Sequence, residues 1–443
     1  MKIMTFVRAY VQAKYGRRFR TREQLERWQS KQVQRYLAWM LPRSPFYRSY
    51  YKGLDVSCWQ SFPMIDKQQM MEHFDQLNTV GIEKAAAFEV ALMAEQTRDF
   101  SPTINGITIG LSSGTSGNRG IFLVSEQERM MWAATILAKA LPGSLFARQR
   151  IAFFLRANSN LYDSVKSRRI SFRFFDLMET AASHIQRLNE YKPTLLVAPP
   201  SMLRLLSEAV EKGSLRIKPD RIISVAEVLD PLDEAYIGRQ FRQTVHQIYQ
   251  CTEGFLATTC EHGTLHLNED LLVIQKEYLD EHRKKFVPII TDFSRTTQPI
   301  IRYRLNDILT ERREPCPCGS VFTALASIEG RCDDLFYLPS TIDYKLVPVF
   351  PDFIRRAVIA ASPAVEEYRV IQNSPTELTV MLRCVSAEQG AVQAEVAGSL
   401  QAMLESLGLQ QPEIRFAPYD FQPGVTKLRR VERRFSVEGC EVV

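Results

Sequence analysis

The chain has 443 residues, of which 45% are hydrophobic and 24% charged, with a formal net charge of +6; this composition excludes extensive disorder and leaves material for a substantial core. Such a length exceeds one compact domain, so a large domain with a smaller second one is expected. Arg17, Arg18, Arg20, Arg22 and Arg27 crowd one end, but the charge over the whole chain is modest; the cluster reads as a solvated face and no nucleic-acid partner is expected.

Arg8 and Lys14 interrupt the apolar residues between Met4 and Tyr15, so no signal peptide is read there. No later stretch approaches a membrane span, and a cytoplasmic location is the expectation. Eight cysteines in so long a chain do not resemble a disulfide framework; clustered ones in a reducing compartment point to metal or chemistry.

Taken in chain order, Thr21 followed by Gln24 is a capping-box signature. It opens a helix with Leu25, Trp28, Val33, Tyr36, Leu37 and Met40 on its apolar side, ended by Pro42 and Pro45. Residues 1–50 therefore read as a helical lead-in packed on the main domain. Thr108, Ile109 and Leu111 form an apolar approach to a Gly-rich segment, after which residues 121–124 read as a strand.

Between 151 and 249, strands at 151–155, 194–198, 221–226 and 245–249 alternate with helices near 177–191, 202–210 and 231–241. That is the rhythm of βαβ units around a largely parallel sheet. Beyond Arg331 the pattern changes to a helix around 350–361, strands near 368–371 and 378–382, a helix near 391–407 and a strand at 413–416. The expected fold is α/β: a large multi-layer domain over 1–331 and a small mobile α+β domain over 332–443.

The Gly-rich segment is Ser112-Ser113-Gly114-Thr115-Ser116-Gly117-Asn118-Arg119-Gly120. Such a turn lets consecutive backbone N–H groups converge on anionic oxygens, while hydroxyls add donors and Arg119 adds charge. It lacks the spacing and the terminal Gly-Lys-Ser/Thr of the Walker pattern. Read alone, it is also compatible with a hairpin turn that binds nothing.

Further blocks follow in order: Ala226-Glu227 after a strand, Tyr249-Gln250-Cys251-Thr252-Glu253, Arg302-Tyr303-Arg304-Leu305-Asn306-Asp307, Gly330-Arg331-Cys332-Asp333-Asp334, and Gly424-Val425-Thr426-Lys427. With the loop, these blocks resemble those of the adenylate-forming superfamily of acyl-CoA synthetases and related ligases. Within it, the chain is most similar to the phenylacetate-CoA ligase group and its relatives that adenylate deazaflavin coenzymes.

The resemblance implies ATP-dependent activation of a carboxylic acid as its acyl-adenylate, with release of pyrophosphate. It implies a phosphate loop over Ser112, Ser113, Gly114, Thr115, Ser116 and Gly117, and an adenine-contacting turn at Ala226 and Glu227. Tyr249 would stack on adenine, Thr252 would contact the α-phosphate, Glu253 would hold Mg²⁺ as a hard oxygen ligand, and Asp307 would accept from the ribose hydroxyls. Arg331 marks the hinge, and Lys427 carries an ammonium from the mobile domain onto the developing charge, completing a catalytic set of Lys427, Thr252 and Glu253. Gln250 and Asn306 stand where the family has glycine, and Asn118-Arg119 where a lysine is common.

Cys316-Pro317-Cys318-Gly319 is a tight knuckle, and Cys260 with His266 supplies a second half; four such ligands suit a structural Zn²⁺. The same branch of the family contains members with such a site. His262 is an alternative to His266, and free thiols in a turn remain the plain reading. The partners expected are a small carboxylic acid, ATP and CoA, for a monomer or homodimer.

The acid is expected between 151–155, the turn Val197-Ala198-Pro199 and residues 249–258. Phe153, Phe174 and Phe255 make an aryl or aryl-acetic acid reasonable. Transfer to CoA is the commonest outcome in the branch; transfer to an amine or a carrier protein, and a catalytically idle nucleotide-binding protein, are the alternatives.

Overall fold

A computed structural model describes residues 2–16, 19–112, 119–143, 147–156, 167–282, 284–384, 389–423 and 427–437. Among them a twelve-stranded mixed sheet forms the spine of the larger part. Its parallel half runs in the order Ile170–Asp176, Gln149–Leu155, Leu195–Ala198, Arg221–Ser224, Val245–Cys251.

Parallel strands need cover on both faces, and the sequence supplies it. Helices Ala181–Tyr191, Pro200–Glu211 and Pro231–Phe241 bury Leu188, Leu203, Leu206 and Ile237 on one face. Helices Lys2–Val11 and Glu126–Ala140 bury Tyr10, Ala134 and Leu137 on the other. Leu195–Ala198 is accordingly buried at every residue.

The expectation of a largely parallel sheet holds for this half only. From Gly254–Thr259 the chain turns back antiparallel on Val245–Cys251 and continues through Leu265–Leu267, Ala324–Arg331, Asp307–Glu311, Lys285–Asp292 and Val273–Tyr278. The strand Ile170–Asp176 is a second addition. It lies at the sheet edge, where exposed Ser171 and Arg173 break the apolar run.

The lead-in helix spans Arg22–Met40, with Thr21 accepting from the Gln24 amide. It docks on the antiparallel half. Arg22 grips both Glu269 carboxylate oxygens at 2.7 Å, and Gln29 donates to the Glu269 carbonyl at 2.8 Å. A separate helix, Lys2–Val11, precedes it.

The C-terminal domain is built on a four-stranded sheet in the order Glu413–Pro418, Glu377–Cys384, Val365–Ser374, Val431–Arg433. Helices Pro351–Ala361 and Gln389–Ser406 close its core. In the second of these, Val392, Val396, Leu400 and Leu404 recur every fourth residue and are all buried, as helical periodicity demands.

Where the two parts meet lies a buried ionic knot. Arg430 pairs with Asp233 and approaches Glu367 at 3.8 Å; Arg204 reaches Asp233 at 3.1 Å and Glu367 at 3.4 Å. Tyr368 donates to Asp230 at 2.7 Å. No helix among the described residues is long and apolar enough to cross a membrane.

Candidate active site

A cleft of about 2220 Å³ opens where the parallel half, the antiparallel half and the C-terminal segment converge. That exceeds the usual volume of a single-ligand pocket. Ser112, Ala226, Glu227, Tyr249, Thr252, Glu253, Asp307, Arg331 and Lys427 all line it. Ser113 to Gly117 of the Gly-rich segment, with Asn118, lie outside the described residues, as do Gly424, Val425 and Thr426.

Strand geometry places the acidic groups. Thr252 and Glu253 form the tight turn between Val245–Cys251 and Gly254–Thr259, so both project from the strand end. Glu253 is buried and accepts from the Tyr303 hydroxyl at 3.1 Å. Asp307 opens its strand directly opposite Arg331, and its Oδ2 accepts from the Tyr249 hydroxyl at 2.5 Å. Ala226 sits at φ +67°, a left-handed turn that aims Glu227 back toward the helix start at Pro200. There Glu227 accepts from the Ser201 amide at 3.2 Å and from the Leu428 amide at 3.1 Å.

The charges are mutually perturbed. Burial, with Arg331 beside it, holds the Lys427 ammonium below its usual range against the pull of Glu227 and Asp307. Burial raises the Asp307 and Glu227 carboxyls and pushes the Tyr249 hydroxyl well up. Groups of both signs are thus held away from their ordinary values in one cleft, the pattern of a candidate functional site.

Gln250 and Asn306 both have structural partners. Gln250 Oε1 accepts from the Trp132 indole N–H at 3.3 Å. Asn306 donates to Asp333 at 2.7 Å, and its carbonyl accepts the Cys332 amide at 2.9 Å, bracing the segment after Arg331. Arg119 is turned aside to Glu95 at 2.5 Å.

Among the aromatics, Phe153 and Phe255 line the cleft but Phe174 does not. Phe172 takes its place, its ring 5.5 Å from that of Phe153. Trp132, from the helix Glu126–Ala140, joins them. Its helix shows only Ala-rich packing in sequence, so its part in the cleft has no local signature.

Apart from the cleft, Cys260, His266, Cys316 and Cys318 bring one donor atom each to within 4.8 Å of one another. Cys260 and Cys316 sulfurs are 3.7 Å apart, and Cys318 lies 3.4 Å from His266 Nε2. Tetrahedral Zn²⁺ with its usual bond lengths has sulfur–sulfur edges of about 3.7 Å and sulfur–nitrogen edges of about 3.5 Å, so the set fits that ion. His266 Nδ1 lies 3.1 Å from the Phe322 carbonyl, which leaves Nε2 as the nitrogen that faces the cysteines. His262 is exposed beside Glu261 and stays outside the cluster.

No protein-family model and no curated protein matches the chain in sequence. Solved structures do match it in shape. A 2-hydroxyisobutyryl-CoA ligase in the postadenylation state with 2-HIB-AMP superposes with a TM-score of 0.69 at 15% identity, over 94% of this chain and 90% of that one. The chain has the adenylate-forming ligase fold. The same ligase with 2-HIB-AMP and CoA in the thioesterification state gives 0.54 at 16% identity, over 93% and 90%. The acyl acid amido synthetase AtGH3.15 in complex with 2,4-DB gives 0.59 at 12% identity, over 99% and 94%.

Proposed function

We propose that this chain uses ATP to activate a carboxylic acid as its acyl-adenylate, releases pyrophosphate, and passes the acyl group to the thiol of CoA. The observation that carries the reading is the gathering of Lys427, Asp307, Glu227 and Arg331 in one cleft, with Glu227 holding the amide of the residue after Lys427, within a fold shared with such ligases.

In the first step a carboxylate oxygen bonds to the α-phosphorus of ATP while the bond from that phosphorus to the bridging oxygen breaks, and pyrophosphate leaves with the electron pair. Two anions must meet, so cations and oriented dipoles have to gather at the reacting centre. Lys427 supplies one, delivered by the C-terminal segment, and Thr252, on the turn after Val245–Cys251, lines the same cleft for contact with the α-phosphate. Asp307, with one oxygen engaged by Tyr249, accepts from the ribose hydroxyls; Ala226, Glu227 and Tyr249 wall the adenine. Mg²⁺ on the phosphates would neutralise charge, and Glu253, a buried oxygen donor positioned by Tyr303, would hold it.

In the second step the thiol sulfur bonds to the acyl carbon, AMP departs, and the thiol proton passes to solvent. The higher score against the postadenylation form supports reading the present arrangement as the one serving the first step, with Arg331 at the hinge. The likeness to an amido synthetase keeps an amine as the second candidate acceptor.

Trp132, Phe153, Phe172 and Phe255 support an aryl or aryl-acetic acid. The Cys/His quartet supports placement near the phenylacetate-CoA ligase branch. Zn²⁺ there would staple the end of Gly254–Thr259 to the loop after Asp307–Glu311, bracing two nucleotide-contacting segments without touching the acyl group. Pyrophosphate exchange across a panel of aryl, alkyl and amino acids, with mass detection of products after adding CoA or amines, tests acid and acceptor together. Absence of exchange with every acid, despite ATP binding, would favour an idle nucleotide-binding protein.

A further inference from the structure

The segment before the helix Lys67–Glu72 is stitched to the active-site sheet. The Ile65 amide donates to the Arg302 carbonyl at 3.1 Å, and the Arg304 amide donates to the Ile65 carbonyl at 2.8 Å. Between these two partners lies Tyr303, whose hydroxyl holds Glu253. A side chain two residues after Ile65 is thereby held in register with the proposed magnesium ligand.

That side chain is Lys67. Its ammonium lies 3.3 Å from Ser112 Oγ and within electrostatic reach of Glu253, and it lines the cleft. Ser112 is itself fixed: its amide donates to the Gly120 carbonyl at 2.8 Å, and its hydroxyl accepts the Gly120 amide at 2.7 Å. Gly120 carries a second, independent sign. Its backbone does not need glycine's positive φ, but a Cβ there would stand 3.1 Å from Lys67 Cε and 3.9 Å from Nζ. The missing side chain is the notch across which the lysine stem lies. The loop's own cation, Arg119, is meanwhile engaged with Glu95.

We propose that Lys67, seated in the notch at Gly120 and beside Ser112, is the cation that binds the β- and γ-phosphates of ATP and the pyrophosphate product. The position lost from the Gly-rich segment is filled from a distant helix. A compact ammonium suits this use, since it binds phosphate as a point charge and needs no planar partner. The inference rests on the ATP-dependent reading above.

Isothermal titration of ATP, pyrophosphate and AMP, each with Mg²⁺, into the full-length protein separates the possibilities. Lys67→Met should weaken ATP and pyrophosphate by about tenfold or more, the loss expected for a charge-assisted contact, and leave AMP unchanged. Lys67→Arg should recover part of the loss. Gly120→Ala, which alters no charge, should weaken the same two ligands, and adding it to Lys67→Met should cost nothing further. Unchanged ATP and pyrophosphate affinity in Lys67→Met, or AMP weakened as much as ATP, would overturn the assignment. Pyrophosphate binding that depends on Lys67 in a protein that adenylates no acid would leave this inference standing while removing the proposed reaction. The converse, exchange indifferent to Lys67, would remove this inference alone.

Discussion

Glu227 holds the Leu428 amide at 3.1 Å through one carboxylate oxygen and the Ser201 amide at 3.2 Å through the other. One half-buried acid thus pins the residue after Lys427 to the first turn of the helix Pro200–Glu211. Replacing it by alanine leaves two amides without their acceptor and frees the segment that carries the lysine. Glu227→Ala should therefore lower the rate of adenylate formation by about tenfold or more, the effect of a lost hydrogen bond to a charged group. Single-turnover measurement of acyl-AMP checks this, and an unchanged rate would show that Glu227 does not position Lys427.

Tyr249 and Asp307 form the second relationship with a kinetic consequence. Tyr249→Phe keeps the ring against the proposed adenine site but removes the donor to Asp307 Oδ2. A half-buried acceptor losing its partner costs about 1 kcal/mol, so the KM for ATP should rise with a smaller change in kcat. Steady-state kinetics with varied ATP would show it; a loss confined to kcat would argue against a ribose role for Asp307.

The ionic knot around Arg430 should govern docking of the C-terminal domain. Arg430→Met leaves Asp233 and Glu367 buried with less compensation, a change that typically costs about 3–5 kcal/mol. Limited proteolysis should then release fragments from the C-terminal domain while the larger part survives. Resistance equal to the unaltered protein would count against the knot as the clamp.

Much of this arrangement is legible in the sequence, because the run 195–198 is apolar at every position, 221–224 carries Ile222 and Ile223 at its centre, and the intervening helix carries clear 3.6-residue periodicity. The antiparallel strands between 254 and 331 are harder to read: their lining includes Glu269, Asp292 and Glu329, buried polar residues that interrupt any simple alternation. The cleft residues are legible as ordered blocks. Lys67 and Trp132 are not, since each enters the cleft from a helix far away in sequence and only tertiary packing brings it there. Phe174 fails for a related reason: identity as an aromatic does not say which one of Phe172 and Phe174 reaches the cleft along an edge strand.

The cysteine cluster makes a prediction about metal. Elemental analysis of purified protein should find about one zinc per chain, as a closed four-ligand set implies, and Cys316→Ser should lower both the zinc content and the thermal midpoint. Zinc-free protein with unchanged stability in Cys316→Ser would end the staple assignment.

His246 introduces a pH dependence. Burial, with Arg221 nearby, pushes its imidazole down to about 4 from an ordinary 6.5, while Nδ1 lies 3.0 Å from Thr259 Oγ1. The unfolded chain takes up the proton more readily than the folded one. This contribution to stability is therefore complete above 6.5 and is lost as pH falls from 6.5 through about 4. His246→Gln should flatten that part of the stability profile, measured by denaturant unfolding at a series of pH values; an identical slope would rule His246 out as its source.

The most direct test of an acid-adenylating site built on Lys427 is ATP–pyrophosphate exchange in the unaltered protein and in Lys427→Ala, over an acid panel rich in aryl and aryl-acetic members. The expected result is exchange with at least one acid, reduced by about a hundredfold or more in the variant, as for loss of a charge-stabilising group, with ATP affinity changed far less. Exchange that proceeds undiminished in Lys427→Ala, or no exchange with any acid while ATP binds, would contradict it.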